Sequence, residues 1–288
     1  MEAPDVRHVG VVGCGLMGSG VVEVCARAGL RVTFVEGTDE LVAAGRARLE
    51  RSFAAAVSRG KLGDEERAAA LARIDAATDL AALTGVDLVI EAATEDPDAK
   101  RSIFARLGEL TSPGVVLASN TSSIPIATLG AASGRAADVI GMHFFNPVPV
   151  MALLELIPSA ETSDRTFALA RSFGADVLGK TCVRSGDEAG FIVNRLLLPF
   201  LFDAIRLLER GFATREDIDT AIQLGLAHPM GPLQLSDLVG LDTVLHIGEV
   251  LHDAFGEERY DAPVLLRSLV RDGKLGRKAG EGFYVYEG

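Results

Sequence analysis

The chain has 288 residues, 48% of them hydrophobic and 24% charged, with a formal net charge of −12 at pH 7. That length favours two globular domains, and no apolar run approaches the roughly 20 residues that a membrane-spanning helix needs. The acidic balance argues against nucleic acid and anionic membranes as partners, because both are bound by releasing counterions to a cationic surface.

Three cysteines, Cys14, Cys25 and Cys182, are too few and too scattered for a disulfide framework or a zinc knuckle, which agrees with a reducing compartment. The opening Met1-Glu2-Ala3-Pro4-Asp5 has no basic leader or small-residue cleavage site, so a cytoplasmic location is expected.

In chain order, His8 to Val12 is a short valine-rich run, followed by glycines and then helical spacing from Leu16 to Ala28. After Gly29, Arg31 to Val35 alternates as a strand does. The opening is therefore a βαβ unit with a parallel pair. Glu40 to about Ala76, rich in Ala, Arg, Glu and Leu, reads as two helices joined by the basic turn Ser58-Arg59-Gly60-Lys61-Leu62-Gly63.

Further strands are expected at Val86 to Glu91, Val115 to Ala118, Val139 to Phe145, Leu153 to Ile157 and Thr181 to Arg184, with helices among them. Past the polar passage Ser185 to Gly190, strand-like runs nearly vanish. Helices are expected at Phe191 to Gly211, Thr214 to Leu224, Leu233 to Phe255 and Pro263 to Asp272. The fold class is thus α/β: a Rossmann-like, doubly wound, mostly parallel sheet with a helical hairpin insertion over residues 1–186, then an all-α domain over 187–288.

Gly13-Cys14-Gly15-Leu16-Met17-Gly18 follows a strand and opens a helix, the context that raises GxGxxG above a chance match. Gly13 permits the turn, Gly15 lets backbone approach a pyrophosphate and Gly18 lets the helix pack on the strand. Glu36, ending the second strand, suits a ribose hydroxyl. Its charge would repel the 2′-phosphate of NADP and no arginine follows immediately, so NAD is preferred, with FAD as the rival user of the same fingerprint.

Among five histidines, His143 ends the run Val139 to His143, where a parallel sheet presents ligands. Asn146-Pro147-Val148-Pro149 then turns the chain towards a strand bearing Glu155. A carboxylate brought against the imidazole would fix its tautomer and stabilise the imidazolium formed when it takes a proton.

Ser119-Asn120-Thr121-Ser122-Ser123, Gly141-Met142-His143-Phe144-Phe145-Asn146-Pro147 and Gly190-Phe191-Ile192-Val193-Asn194-Arg195 resemble signatures of the L-3-hydroxyacyl-CoA dehydrogenases. The resemblance continues through His228-Pro229-Met230-Gly231-Pro232 and Gly276-Arg277-Lys278 to Gly282-Phe283-Tyr284. It implies reversible NAD-dependent oxidation of an (S)-3-hydroxyacyl-CoA, with His143 as general acid/base, Glu155 as its partner, and Ser122 and Asn194 as donors to the substrate oxygens.

The same resemblance places Glu95, Lys100, Ser122 and Asn146 on the cofactor side with Leu16 and Met17 of the glycine loop. It places Ser52, Arg59 and Lys61 near the CoA phosphates, and implies a homodimer. It points to the stand-alone type acting on 3-hydroxybutyryl-CoA or acetoacetyl-CoA, in fatty-acid β-oxidation, butanoate metabolism or polyhydroxybutyrate supply. Three rival readings stay open: the 3-hydroxyadipyl-CoA enzyme of phenylacetate catabolism, a dehydrogenase of free hydroxy or sugar acids, and a non-catalytic NAD-binding protein. Departures from the family pattern are Cys14 for alanine, Glu23 for glutamine, and Phe202-Asp203 for asparagine-glutamate, of which Phe202 bears on the acyl pocket.

Overall fold

A computed structural model describes residues 6–286; the leader reading of Met1 to Asp5 lies outside the described residues. Residues up to Glu188 form one compact unit and those from Ala189 a second.

The first unit is built on an eight-stranded sheet in the order β3-β2-β1-β4-β5-β6-β7-β8. Its strands are β1 (His8–Val12), β2 (Arg31–Val35), β3 (Ile74–Ala77), β4 (Leu88–Glu91), β5 (Val116–Ser119), β6 (Val139–Phe144), β7 (Leu153–Ile157) and β8 (Thr181–Arg184). Neighbours run parallel except β6 and β7, which are antiparallel. Central strands are mostly apolar because helices cover both faces. Val9, Val11, Leu88, Ile90, Val116 and Ile140 accordingly have no exposed surface.

After β1 the chain winds to β2 and β3 on one side, then crosses to β4 on the other. That reversal makes a crevice at the carboxyl ends of β1 and β4, the place where such sheets bind ligands.

Helices α1 (Leu16–Arg27), α2 (Asp39–Ser58), α3 (Asp64–Leu71), α4 (Pro97–Leu110), α5 (Ile126–Ser133) and α6 (Asp164–Ser172) pack with this sheet. Local chemistry starts them. The Thr38 hydroxyl accepts from Leu41 N–H ahead of Asp39 and Glu40, whose charges suit the helix dipole. Asp96 caps α4 in front of Pro97.

Most element ends fall within two residues of the sequence reading, and the first larger difference follows α3. The segment expected to stay helical to Ala76 ends at Leu71 and adds the edge strand β3, which pairs along β2. The domain junction falls after Glu188 rather than 186. The Asp187 carboxylate accepts from Ile126 N–H (2.6 Å) and Ala127 N–H (2.8 Å), capping α5 and holding the junction to the first unit.

The second unit contains α7 (Val193–Glu209), α8 (Arg215–Leu226), α9 (Pro232–Val239), α10 (Leu241–Phe255) and α11 (Val264–Arg271) around Leu198, Leu201, Ile205, Leu251, Tyr260 and Leu266. The single helix expected from Leu233 to Phe255 is broken at Gly240, whose φ of +100° no ordinary helix residue adopts. Asp219 caps α9 through Leu233 and Gln234 N–H and accepts from Tyr284 OH. Asp237 accepts from Phe283 and Tyr284 N–H and Tyr286 OH, so two buried carboxylates bind the C-terminal segment to the helices.

Phe202 has no exposed surface and fills the interior of this unit. A Cβ built on Gly248 would come within 2.4 Å of its ring. Gly248→Ala is therefore expected to destabilise the protein by about 1–3 kcal/mol, read as a lower urea midpoint at unchanged m-value. An unchanged midpoint would show that Phe202 has room to move.

Candidate active site

The carboxyl edge of the sheet carries three polar groupings of the first unit, beginning with the glycine loop. Gly13 has φ +88°, and a Cβ on it would lie 2.8 Å from the Ala92–Ala93 backbone. A Cβ on Gly18 would lie 1.9 Å from Gly13 O, so α1 packs against the turn only as glycine. Around Gly15 no atom lies within 4 Å of the Cβ position. The loop is thus tight where helix meets strand and open where a pyrophosphate would lie, which fits a dinucleotide.

Glu36 holds this loop: its Oε1 accepts from Cys14 N–H at 2.5 Å. Arg48 Nη1 donates to Cys14 O at 2.8 Å. The absence of an arginine immediately after Glu36 was only a sequence fact, since α2 folds Arg48 back onto the loop. Burial pushes the Cys14 thiol up to about 12, the Glu36 charge adding to the effect, so it stays protonated. Leu16 is exposed and Met17 half-buried against the core.

Glu91, absent from the sequence reading, is the second grouping. It ends β4 with no exposed surface, and its carboxylate accepts from Lys100 Nζ (2.6 and 2.7 Å), Ser119 Oγ (2.7 Å) and Ala93 N–H (2.7 Å). Lys100 is 1% exposed and its ammonium also lies 3.6 Å from Glu95. The lysine assigned to the cofactor side is therefore held in the protein interior by Glu91. Glu95, partly exposed, accepts from Ser122 N–H (2.9 Å), Ser122 Oγ (3.3 Å) and Thr121 Oγ1 (2.9 Å). The available sign of Glu91 was an acid closing an otherwise apolar strand, with a lysine on the helix that follows.

His143 and Glu155 form the third. They are register partners across antiparallel β6 and β7, so their side chains project from the same face at close range. His143 Nδ1 lies 2.7 Å from Glu155 Oε2; the histidine is 7% exposed and the glutamate 0%. The Phe145 ring sits 4.6 Å from the imidazole. Asn120 Oδ1 accepts from Phe144 N–H at 2.9 Å, fixing the end of β6 on its other side. Asn146 is exposed in the following turn.

The remaining residues are dispersed. Asn194 is buried in the first turn of α7, in the second unit. Arg59 closes α2 at the surface. Lys61 lines a cleft of about 390 Å³ with Arg27, Arg73 and Glu66. Ser52 departs from its expected place on CoA phosphate: its Oγ donates to the buried Glu23 at 2.5 Å, leaving no proton for a phosphate. Glutamate instead of glutamine at position 23 favours that arrangement, since a buried carboxylate requires donors, and Arg27 supplies the other at 3.2 Å.

Residues 8–188 match the NAD binding domain of 3-hydroxyacyl-CoA dehydrogenase, and residues 190–286 match the C-terminal domain of the same family. A 3-hydroxybutyryl-CoA dehydrogenase of Mycobacterium tuberculosis is 50% identical over 98% of this chain and 99% of its own. Human mitochondrial hydroxyacyl-coenzyme A dehydrogenase is 43% identical over 98% of this chain and 92% of its own. The crystal structure of M. tuberculosis FadB2 superposes with a TM-score of 0.96 at 50% identity, covering 98% of this chain and 99% of that one. That of (S)-3-hydroxybutyryl-CoA dehydrogenase from Ralstonia eutropha gives 0.92 at 44% identity, covering 99% and 100%.

The Glu91–Lys100 pair yields a stability test. Glu91→Leu alone leaves a buried ammonium without its carboxylate and is expected to cost about 3–5 kcal/mol, whereas adding Lys100→Met should recover most of the loss. Urea denaturation of the single and double variants reads this. A double variant as unstable as the single one would show that the pair is not the unit.

Proposed function

Because this chain belongs to the 3-hydroxyacyl-CoA dehydrogenase family, we propose that His143 is the base that takes the proton from the C3 hydroxyl of a short-chain (S)-3-hydroxyacyl-CoA. The enzyme is an oxidoreductase and its cofactor is NAD. The observation that carries the reading is the buried 2.7 Å contact between His143 Nδ1 and Glu155. It fixes the ring and directs Nε2 to proton exchange, while the carboxylate stabilises the imidazolium.

The open backbone at Gly15 would hold the pyrophosphate of NAD and Glu36 its ribose, and NAD when bound would supply the hydride acceptor. Ser122 holds the C3 oxygen once its hydroxyl leaves Glu95, a 3.3 Å contact long enough to exchange readily. Asn194 is assigned the thioester carbonyl, an amide N–H being able to polarise that oxygen without competing for hydride. In the reverse direction, His143 returns the proton to the oxygen of the 3-ketoacyl-CoA. Acetoacetyl-CoA and 3-hydroxybutyryl-CoA are the proposed substrates, in line with the names of the relatives at 50% and 44% identity.

NADH absorbance with acetoacetyl-CoA tests this directly. His143→Ala and Glu155→Gln should each lower kcat on the order of 100-fold or more while NADH binding persists. Full turnover in His143→Ala would remove the base assignment, and a preference for 3-hydroxyadipyl-CoA over the four-carbon substrate would replace the substrate assignment.

A homodimer through the second unit and a cytoplasmic location complete the reading. Among the described residues no helix is long and apolar enough to cross a membrane, and the three cysteines are free thiols, as suits a reducing compartment. On the second unit Leu196 (70%), Phe212 (77%) and Leu224 (81%) are exposed, and an apolar cleft of about 420 Å³ is lined by Phe200, Leu207, Phe212 and Ile222. Covering such surface is what a partner subunit does. Sedimentation at micromolar concentration should show a dimer for the native chain and more monomer for Phe212→Asp; a native monomer would end the proposal. Cell fractionation tests the location, and recovery outside the cytoplasm would overturn it.

A further inference from the structure

Lys180, just before β8, is buried at 9% exposure. Its ammonium donates to two backbone carbonyls, Val148 O at 2.6 Å and Met151 O at 2.7 Å. Among the described residues no carboxylate lies within ion-pair distance of it. Burial depresses its proton affinity, and the nearby Arg27 charge lowers it further. A cation in such a place costs more than an apolar side chain of equal length would, so its two hydrogen bonds need a structural reason.

The reason lies in what those carbonyls belong to. Val148 and Met151 form the turn that carries the chain from β6, bearing His143, back to β7, bearing Glu155. Val150 and Met151 N–H both donate to Pro147 O (2.9 and 3.0 Å), leaving the Val148 and Met151 carbonyls to be satisfied from outside the turn. Lys180 is itself fixed: its N–H donates to Gly174 O at 2.8 Å, and the next residue, Thr181, donates to Ala152 O at 2.7 Å. The Val148 side chain is 2% exposed and presses on α1, where a Cβ on Gly20 would approach Val148 Cβ to 2.7 Å. α1 is the helix that the glycine loop opens.

We infer that Lys180 is a positioning residue for the reaction: by gripping the Val148 and Met151 carbonyls it locks the β6–β7 turn against α1, and so holds the His143–Glu155 pair and Asn146 in fixed relation to the cofactor helix. The inference rests on His143 being the base. Its consequence is that losing the grip alters cofactor use as well as turnover. A merely structural loss, by contrast, reduces the number of folded molecules and leaves KM unchanged.

The test compares Lys180→Met, which keeps the length and removes the donors, with Lys180→Gln, which retains two N–H donors, and runs His143→Ala alongside. Far-UV circular dichroism and full steady-state kinetics with NADH and acetoacetyl-CoA are measured on each. Lys180→Met should raise KM for NADH about fivefold or more and lower kcat on the order of tenfold, the scale of a small misplacement of reacting groups. Lys180→Gln should keep KM for NADH within about twofold of the native value.

A Lys180→Met enzyme whose KM for NADH stays within about twofold overturns the inference, whatever its kcat. If Lys180→Met does not fold, Lys180→Leu, likewise without donors, takes its place under the same criterion: a KM for NADH raised about fivefold or more supports the grip and one within about twofold overturns it. Unimpaired turnover in His143→Ala would instead remove the base assignment and leave the Lys180 result, read from KM for NADH, standing separately.

Discussion

Glu155 lies wholly inside the protein, where a carboxylate must take its stabilisation from donors rather than from water. The fold supplies one through strand direction. β6 joins β5 in parallel, as the doubly wound pattern requires, yet β7 returns antiparallel beside β6. Antiparallel pairing sets residues directly opposite one another, and His143 opposite Glu155 is such a pair. A parallel β7 would need a long crossover and would not tie the two residues through one short turn. The single reversal in the sheet is therefore what makes an oriented imidazole available at its carboxyl edge.

The same edge shows how an acidic chain manages charge. With a net charge of −12, carboxylates outnumber cations, and several are drawn inside with hydrogen-bond donors around them. Glu91 takes Lys100, Ser119 and a backbone amide; Glu23 takes Ser52 and Arg27. Each burial is costly, and each fixes a segment: Glu91 the start of α4, Glu23 the contact of α1 with α2. Stability is a weak account of such pairs, because apolar residues would do as well. Holding Glu95, and through it Ser122, in a defined place is the better one.

How much of this the sequence disclosed depended on how local the information was. The glycine loop was legible because Gly13, Gly15 and Gly18 act within one turn, and its strand and helix flank it directly. His143 and Glu155 were legible because a short turn joins their strands. β3 was missed because Ile74-Asp75-Ala76-Ala77 has little β-propensity of its own and forms by pairing on β2. Arg48 was missed because its approach to Cys14 depends on the packing of α2, which spacing does not give. The break at Gly240 was hidden by apolar periodicity on both sides of it. Ser52 was assigned outward to phosphate, although the glutamate at position 23 had already been noted as unusual; only packing shows that one faces the other.

A common feature of the groups proposed to face ligand is that the protein itself satisfies them. Cys14 N–H is given to Glu36, and Ser122 N–H and hydroxyl are given to Glu95. Binding at these atoms exchanges one hydrogen bond for another, and such exchanges are worth only about 0.5–1.5 kcal/mol each. Affinity must then come from what is not yet paired, such as the open backbone at Gly15 for a pyrophosphate. The polar contacts near the reacting carbon are left to set geometry.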